Sequence, residues 1–337
     1  MYIICSMGPK INTINDIGKL AEKGMTTSRF NFSHAQYSKI ENLMTDMRKH
    51  YPQIQIMQDL QGNKLRVSKS FIGEMVVRKE DKVLFCLDEM YVSRCRDSKY
   101  PLIPINYYGS FQDLLGADEI SMKDATMQFR IIKKDSRFIM AQVTKGGIIR
   151  GEKGLNLPGI NRQNMPFSTK DKKDIYWGVR KGVDIICASY VSSKRDILEV
   201  RRCINELSHI NNFKYPKVWA KIECEEALKN FDEILEVSDG IMLGRGDLRA
   251  EIPIHMMPIV QERLLNKMKK TKKPFVIATH VLESGRRERM PSIGELSDIY
   301  YSLKNGVNGF MLAGEVGTSN NPSFSVEMLH NLIENYK

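Results

Sequence analysis

The chain lacks the sequence features that mark membrane, secreted and zinc-cluster proteins. No apolar run in its 337 residues approaches the roughly 18 that a bilayer-spanning helix needs, and no signal peptide opens it. We therefore expect no membrane partner and a cytoplasmic location. The six cysteines form no Cys-x-x-Cys or Cys/His ligand pair, which favours buried reduced thiols over a zinc site or disulfides.

The sequence also lacks a nucleic-acid-binding pattern, although its formal net charge is +11. The lysine-rich stretches 170–173 and 267–273 fall on predicted helix surfaces or near helix ends, without aromatic residues on which bases could stack. We interpret them as solvated faces and expect no nucleic-acid partner. A positive charge of this size instead suits a site that attracts anionic substrates.

The most informative residues are a lysine and two carboxylates near the ends of apolar strands. In Lys221-Ile222-Glu223 the two charged side chains share one face of a strand. The next strand, 240–243, leads into Gly244-Arg245-Gly246-Asp247, which brings Asp247 to the same end. Two carboxylates suit Mg²⁺ with water or substrate in the other positions, and a neighbouring lysine suits a phosphate or enolate oxygen.

A purely structural interpretation is the alternative for each of these residues taken alone. Lys221 and Glu223 would then be an ordinary ion pair, and Asp247 an ordinary turn residue. Polar residues, however, recur at the ends of nearly every apolar strand. Charges scattered over a surface would not recur at that position. The recurrence favours a metal-assisted phosphoryl or enol site.

Strand and helix patterns alternate along most of the chain. Short apolar or β-rich runs predict strands at 2–6, 27–32, 54–59, 183–189, 218–222, 240–243, 275–279 and 309–312. Amphipathic stretches predict helices at 13–24, 36–50, 170–181, 192–209, 225–236, 256–271, 295–304 and 323–336. This alternation predicts parallel strands covered by helices, in an α/β fold.

One segment interrupts this rhythm. From 68 to 152 helical periodicity gives way to short alternating segments at 75–78, 82–87, 129–133 and 138–143, which predicts an inserted all-β domain. The remainder, 1–67 and 153–337, has the size of a (β/α)₈ TIM barrel, whose active site lies where the strands end.

The motifs together resemble those of the pyruvate kinase family. In chain order the matching stretches are Arg29-Phe30-Asn31-Phe32-Ser33-His34, Lys153-Gly154-Leu155-Asn156-Leu157-Pro158-Gly159, Ala188-Ser189-Tyr190, Lys221-Ile222-Glu223, Gly244-Arg245-Gly246-Asp247-Leu248 and Ala278-Thr279-His280-Val281-Leu282-Glu283-Ser284. The resemblance covers essentially the whole chain. It is strong in the barrel and weak in the inserted domain, which in this family is a mobile lid.

The resemblance implies a role for each matching residue. Glu223 and Asp247 would hold Mg²⁺ or Mn²⁺, and Lys221 would stabilise the phosphoryl group during transfer. Arg29 and Ser189 would grip that group, while Gly246 and Thr279 would hold the carboxylate of phosphoenolpyruvate or pyruvate. The residues that would face ATP or another nucleotide are Ser6, Pro9, His34, Arg66 and Lys153.

The resemblance also implies a monovalent-cation site formed by Asn31, Ser33 and Asp59. Lys64 occupies the position where potassium-dependent members carry glutamate. Its ammonium would replace the ion, so potassium would not be required. The alternative is that Lys64 points into solvent.

Several positions depart from the family pattern. Ala313 stands where the family has a serine implicated in protonating the enolate, and Val316 where it has threonine. Arg249 replaces a glycine, His280 a glutamine and Asn63 a proline. The sequence ends at Lys337, so we expect the family's C-terminal regulatory domain to be absent, leaving a homodimer through the barrel as the expected assembly.

Three functions remain open. The first is a kinase that transfers phosphate between phosphoenolpyruvate and a nucleoside diphosphate, giving pyruvate and a nucleoside triphosphate. The second is a related enzyme acting on another enolpyruvate, 2-oxo acid or phosphorylated metabolite in a specialised pathway, as Ala313 and Arg249 suggest. The third is a non-catalytic relative, against which the retention of Lys221 and its carboxylates argues.

Overall fold

The computed structural model describes residues 1–94, 98–107, 109–122, 125–162, 165, 167–209, 213–287 and 289–336. Within these residues the strands are β1 (Tyr2–Met7), β2 (Thr27–Asn31), β3 (Gln55–Asp59), β4 (Glu74–Val77), β5 (Lys82–Leu87), β6 (Leu102–Ile105), β7 (Glu119–Met122), β8 (Met127–Lys134), β9 (Phe138–Lys145), β10 (Gly147–Arg150), β11 (Leu155–Asn156), β12 (Ile185–Ala188), β13 (Lys217–Ile222), β14 (Gly240–Gly244), β15 (Phe275–Ala278) and β16 (Gly309–Leu312).

The described helices cover all eight predicted amphipathic stretches and add three short helices that were not predicted, at 88–94, 245–248 and 314–317. They are α1 (Ile14–Glu22), α2 (Tyr37–His50), α3 (Asp88–Arg94), α4 (Thr169–Arg180), α5 (Lys194–Asn205), α6 (Glu225–Lys229), α7 (Phe231–Val237), α8 (Arg245–Leu248), α9 (Met257–Met268), α10 (Ile293–Lys304), α11 (Gly314–Gly317) and α12 (Pro322–Tyr336). Among the described residues, none of these helices combines the length and apolarity required to cross a bilayer.

Local sequence explains where several barrel helices begin. Thr13 caps α1, and its hydroxyl accepts a hydrogen bond from the Asp16 amide while the Asp16 carboxylate reaches back. Ser292 and Glu295 form the same reciprocal cap at the start of α10. Each arrangement satisfies amide groups that have no partner within the helix.

Eight parallel strands close into a barrel, in the order β1-β16-β15-β14-β13-β12-β3-β2. The predicted α/β class, a (β/α)₈ barrel with an inserted lid domain, is therefore confirmed. The register sets Ser6 beside Arg29, and Asp59 beside both Asn31 and Cys187. These pairings bring polar residues from separate strands to one end of the barrel.

Two apolar layers hold the barrel together. Side chains such as Met57, Trp219 and Met242 fill its interior, while a larger cluster packs the outer faces of the strands against the helices. The described cysteines, Cys5, Cys86, Cys187, Cys203 and Cys224, are buried and unpaired, in agreement with reduced thiols. Cys95 lies outside the described residues.

The inserted segment forms a separate β-rich unit. Strands β11-β7-β8-β9-β5-β6 make one sheet, and β10 pairs with β4 in another. Phe85 and Phe129 meet edge to face in its own apolar core, with ring centroids 5.4 Å apart. This unit also contains the short helix α3. Leu65 and Leu155, outside the predicted limits 68–152, pack into the same core.

Two local predictions differ from the structure. The expected turn 244–247 is the end of β14 followed by the single helical turn α8, in which the Arg249 amide donates to the Arg245 carbonyl at 3.0 Å. The expected helix 225–236 is divided at Asn230, whose side-chain amide donates to the Ser192 carbonyl at 2.9 Å.

Candidate active site

Asp59 is the centre of a group of charges at the carboxyl end of the barrel. Arg29 donates from Nε to Asp59 Oδ2 at 2.7 Å and from a terminal nitrogen to Ser6 Oγ at 2.9 Å. Lys221 Nζ lies 3.2 Å from Asp59 Oδ1 and donates to Ser189 Oγ at 2.9 Å. Five side chains thus meet at one point. Four of them come from β1, β2, β3 and β13, and the fifth is Ser189, which follows β12.

These contacts fix the charges of the group. Burial alone would raise the pKa of Asp59, but Arg29 and Lys221 outweigh it and hold that pKa below its ordinary value. Burial would likewise lower the pKa of Lys221, yet Asp59 and Glu223 raise it. Lys221 therefore remains cationic beside an ionised carboxylate, which is the state needed to attract a phosphoryl group.

Glu223 and Asp247 supply the two carboxylates expected from the sequence. Glu223 Oε1 lies 3.0 Å from Lys221 Nζ, and its Oε2 accepts the Tyr190 amide at 3.0 Å. Burial, followed by the charges of Asp247 and Asp59, raises the pKa of Glu223 despite Lys221. A cation between these like charges would relieve their repulsion.

The donor set fits Mg²⁺ better than a structural metal. No cluster of three or more histidine, cysteine, aspartate or glutamate side chains forms a metal cage in the part of the chain that the structure describes. Of the three carboxylates near Lys221, Asp59 is paired with Arg29, which leaves Glu223 and Asp247 as the candidate ligands. Mg²⁺ is commonly held by one or two carboxylates and keeps several waters or substrate oxygens.

Thr279 and Gly246 meet where β15 and β14 end. The Gly246 amide donates to Thr279 Oγ1 at 2.7 Å. Thr279 and His280 both have positive φ, +65° and +54°. Their carbonyl oxygens accept hydrogen bonds from Arg245 at 3.1 and 2.5 Å, and these bonds hold a backbone conformation that is unfavourable for residues other than glycine.

Most of the residues expected to face a nucleotide line two cavities that share His34. Ser6, Pro9 and His34 line a cavity of about 1090 Å³ that also reaches Arg29 and Ala313. Arg66 lies in the segment that leads into the lid, and it pairs with Gly154, the neighbour of Lys153, on the returning segment. Burial and the nearby Arg66 charge lower the pKa of His34.

A family model and several known proteins match the chain. The family model "Pyruvate kinase, barrel domain" matches residues 1–326. The chain belongs to the pyruvate kinase family. It is 32% identical over 336 residues to pyruvate kinase from Bacillus licheniformis and 31% identical over 337 residues to that from Geobacillus stearothermophilus. Each match covers 98% of this chain and 56% of the relative.

A fungal relative gives a similar result. The chain is 32% identical over 337 residues to pyruvate kinase from Candida albicans, and the match covers 98% of this chain and 65% of that protein. The chain therefore spans between about half and two thirds of the length of these curated relatives.

Lys64 lies elsewhere than the family resemblance implied. We expected its ammonium among Asn31, Ser33 and Asp59, but it forms an ion pair with Asp247 Oδ1 at 2.5 Å. Asp59 is instead paired with Arg29 and Lys221. Asn31 Oδ1 accepts the Ser33 amide at 3.1 Å.

Tyr190 is a site residue whose role the sequence did not reveal. Its amide binds Glu223, its φ is +53°, and its ring lies between Lys64 Nζ at 5.7 Å and the Arg162 guanidinium at 5.4 Å. The motif Ala188-Ser189-Tyr190 does not predict these contacts, because they join residues that are distant in sequence.

A buried polar network lies behind Tyr190. Arg162 donates to Glu251 Oε1 at 3.1 Å, and Asn156 donates to the same oxygen at 3.0 Å and to the Tyr190 hydroxyl at 3.3 Å. Asn156 and Arg162 belong to the segment returning from the lid, whereas Glu251 follows α8. The network connects the lid to the barrel beside Asp247.

Ala313, a departure from the family pattern, lies beside an unusual carboxyl group. The Ala313 amide donates to Glu315 Oε2 at 2.8 Å. Glu315 is buried, its Oε1 has no hydrogen-bond partner among the described residues, and burial raises its pKa. The position therefore has a nearby acidic group but no hydroxyl of its own.

Proposed function

We propose that the protein is a Mg²⁺-dependent phosphotransferase that moves phosphate between phosphoenolpyruvate and a nucleoside diphosphate, giving pyruvate and a nucleoside triphosphate. The observation that carries the proposal is the convergence of Arg29 and Lys221 with Glu223 and Asp247 at the barrel mouth. A cavity lined by Ser6, Pro9 and His34 adjoins it. Cations, carboxylates and space for a second substrate are thus available together.

The cationic side chains would act on the phosphoryl group. Arg29 and Lys221 are held 2.7 and 3.2 Å from Asp59 oxygens, so both are oriented before substrate binds. Phosphoryl transfer depends mainly on positioning and on stabilisation of charge spread over oxygens. Ser189 would add a hydroxyl to the same group, since its Oγ already contacts Lys221.

Glu223 and Asp247 would hold Mg²⁺ or Mn²⁺. The bound ion would neutralise charge on the substrate oxygens as phosphate is transferred. Gly246 and Thr279 would receive the substrate carboxylate, because a glycine lets the backbone approach a small anion. His34, Arg66 and Lys153 would bind the nucleotide beside Ser6 and Pro9.

A second function is favoured by Ala313, in addition to the departure at Arg249. The transfer leaves an enolate that must be protonated at carbon, and the hydroxyl that the family places here is missing. The same barrel and metal site would then serve another enolpyruvate, 2-oxo acid or phosphorylated metabolite. A non-catalytic role fits less well, because burying Lys221 with three carboxylates is costly unless the charges are used.

The deciding experiment supplies phosphoenolpyruvate, Mg²⁺ and each nucleoside diphosphate in turn, and follows both products by proton and phosphorus NMR. Equal amounts of pyruvate and nucleoside triphosphate are expected. Lys221→Met serves as the inactive control. Loss of phosphoenolpyruvate without triphosphate would favour the second function, and no reaction with any acceptor would contradict the kinase assignment.

A further inference from the structure

Lys64 occupies a cation site made from the protein's own residues. Its ammonium lies 2.5 Å from Asp247 Oδ1, and each of the two side chains is 19% exposed. The same ammonium faces the Tyr190 ring, 5.7 Å from the centroid. A carboxylate and an aromatic face are the two groups that bind an ammonium ion most readily in proteins.

The stem of Lys64 runs between the two segments that connect the barrel with the lid. Lys64 belongs to the outgoing segment, whereas Gly154 belongs to the returning one. A Cβ added at Gly154 would lie 2.6 Å from Lys64 Cε, so the stem packs directly against this glycine. The Arg66–Gly154 bridge holds the two segments together at this point. The ammonium thus reaches Asp247 from the junction between these two segments.

This arrangement opposes metal binding at the oxygen that Lys64 contacts. A divalent cation would lie about 2 Å from a carboxylate oxygen of Asp247. Lys64 in its present position would then be within a few ångströms of it, and the two positive charges would repel. Tyr190 offers the displaced ammonium a second contact, because its ring already faces Lys64.

We propose that Lys64 and the divalent cation exchange at Asp247, so that Lys64 is a tethered competitor that sets the affinity of the metal site. The proposal rests on the assignment of Asp247 as a metal ligand under the proposed function. It assigns Lys64 a contact with the divalent site, beyond the monovalent-cation role that the family resemblance implies.

Mn²⁺ binding to the full chain without substrates tests the exchange directly. Free Mn²⁺ is measured by electron paramagnetic resonance during titration of wild type, Lys64→Met and Lys64→Gln. Removing the competitor should lower the dissociation constant by about 10-fold, within the usual range of coupling between two sites. Circular dichroism and thermal melting establish that each variant is folded, and Lys64→Gln retains a hydrogen-bonding side chain if Lys64→Met is unstable.

Two controls separate this effect from others. Lys69→Met removes the same charge from the same segment, but Lys69 is exposed and lies 3.5 Å from Glu152, so its Mn²⁺ affinity should match wild type. Asp247→Asn should weaken binding. Tightening in the Lys64 variants but not in Lys69→Met supports the exchange, and unchanged or weaker binding in folded Lys64 variants overturns it.

The two proposals fail in different ways. If Asp247→Asn binds Mn²⁺ as tightly as wild type, Asp247 is not a metal ligand, and the metal assignment and the exchange both fall. If Asp247→Asn weakens binding while the Lys64 variants bind as wild type does, the exchange alone is wrong.

Discussion

Arg245 donates a hydrogen bond from Nε to the carbonyl oxygen of Thr279 at 3.1 Å, and so secures the turn that carries the threonine hydroxyl. The same guanidinium contacts Asp298 Oδ2 at 2.6 Å. Thr279 and His280 both adopt positive φ, a conformation that persists only where surrounding contacts enforce it. Arg245 therefore joins the ends of β14 and β15 around the proposed carboxylate pocket.

Replacing Arg245 with methionine should lower the free energy of unfolding by about 3 kcal/mol, because it leaves the partly buried Asp298 carboxylate and two carbonyls without their donor. Urea unfolding measures the change. Arg202→Met is the matched control: Arg202 is an exposed arginine in ion pairs with Glu199 and Glu206, and its loss should cost less than about 1 kcal/mol. Equal losses in both variants would contradict a special role for Arg245.

Lys221→Met should reduce phosphoryl transfer by about 100-fold to 1000-fold, as expected when one stabiliser of transition-state charge is removed. Steady-state pyruvate formation is the readout. Lys217→Met, at the exposed start of the same strand, should retain wild-type turnover. Since Lys221 is paired with buried Asp59 and Glu223, circular dichroism must show a folded variant, and wild-type turnover in that variant would refute the assignment.

Asp171 makes the stability of the protein depend on pH. Burial, and then the neighbouring Asp174 charge, raise the pKa of Asp171 to about 7, whereas an unfolded aspartate titrates near about 4. Between these values the folded state binds the additional proton. The free energy of unfolding should therefore fall as pH rises from about 4 to about 7.

Asp171→Asn tests this linkage. The variant should lose that part of the pH dependence in urea unfolding, although it also weakens the hydrogen bonds that Asp171 accepts from the amides of Gln61 and Gly62 at 3.1 and 3.0 Å. Asp232→Asn, which changes an exposed aspartate, should keep the wild-type slope. Identical slopes in wild type and Asp171→Asn would show that Asp171 titrates normally.

Ala313→Ser should speed protonation of the enolate more than phosphoryl transfer. A positioned hydroxyl next to Glu315 would supply a proton-transfer group that the wild type lacks at this position. A positioned proton donor typically raises the rate of such a step by about 100-fold or more. We expect at least about a 10-fold rise in solvent proton exchange at the methyl group of added pyruvate with Mg²⁺. If wild type already exchanges as fast as other pyruvate kinases, Ala313 is a neutral change and the specialised function loses its support.

Potassium should not be required for activity, because Lys64 places a positive charge at the barrel mouth, although on Asp247 rather than among Asn31, Ser33 and Asp59. Rates in potassium and tetramethylammonium buffers of equal ionic strength should agree. Lys64→Glu, which restores the residue of potassium-dependent family members, should create a requirement for potassium. Strong activation of wild type by potassium would show that Lys64 does not replace the ion.

The sequence by itself determined the barrel and most of the residues around its mouth. Apolar strand-length runs alternate with amphipathic helix-length stretches, and this pattern involves only residues that are close in sequence. Each barrel strand accordingly lies within two residues of its predicted limits at both ends. Parallel strands end on the same side, so residues such as Lys221 and Glu223 could be expected to converge. Even the interruption by the lid was visible, because the helical period disappears there.

Only the tertiary structure decided which of these residues touch. Lys64 and Asp247 are 183 positions apart, and Asn156 and Glu251 are 95 apart. No periodic pattern links such positions, since their contact depends on how the lid segments pack against the barrel. Family resemblance placed Lys64 beside Asp59, but Arg29 and Lys221 already neutralise that carboxylate, and the tethered ammonium lies instead on Asp247.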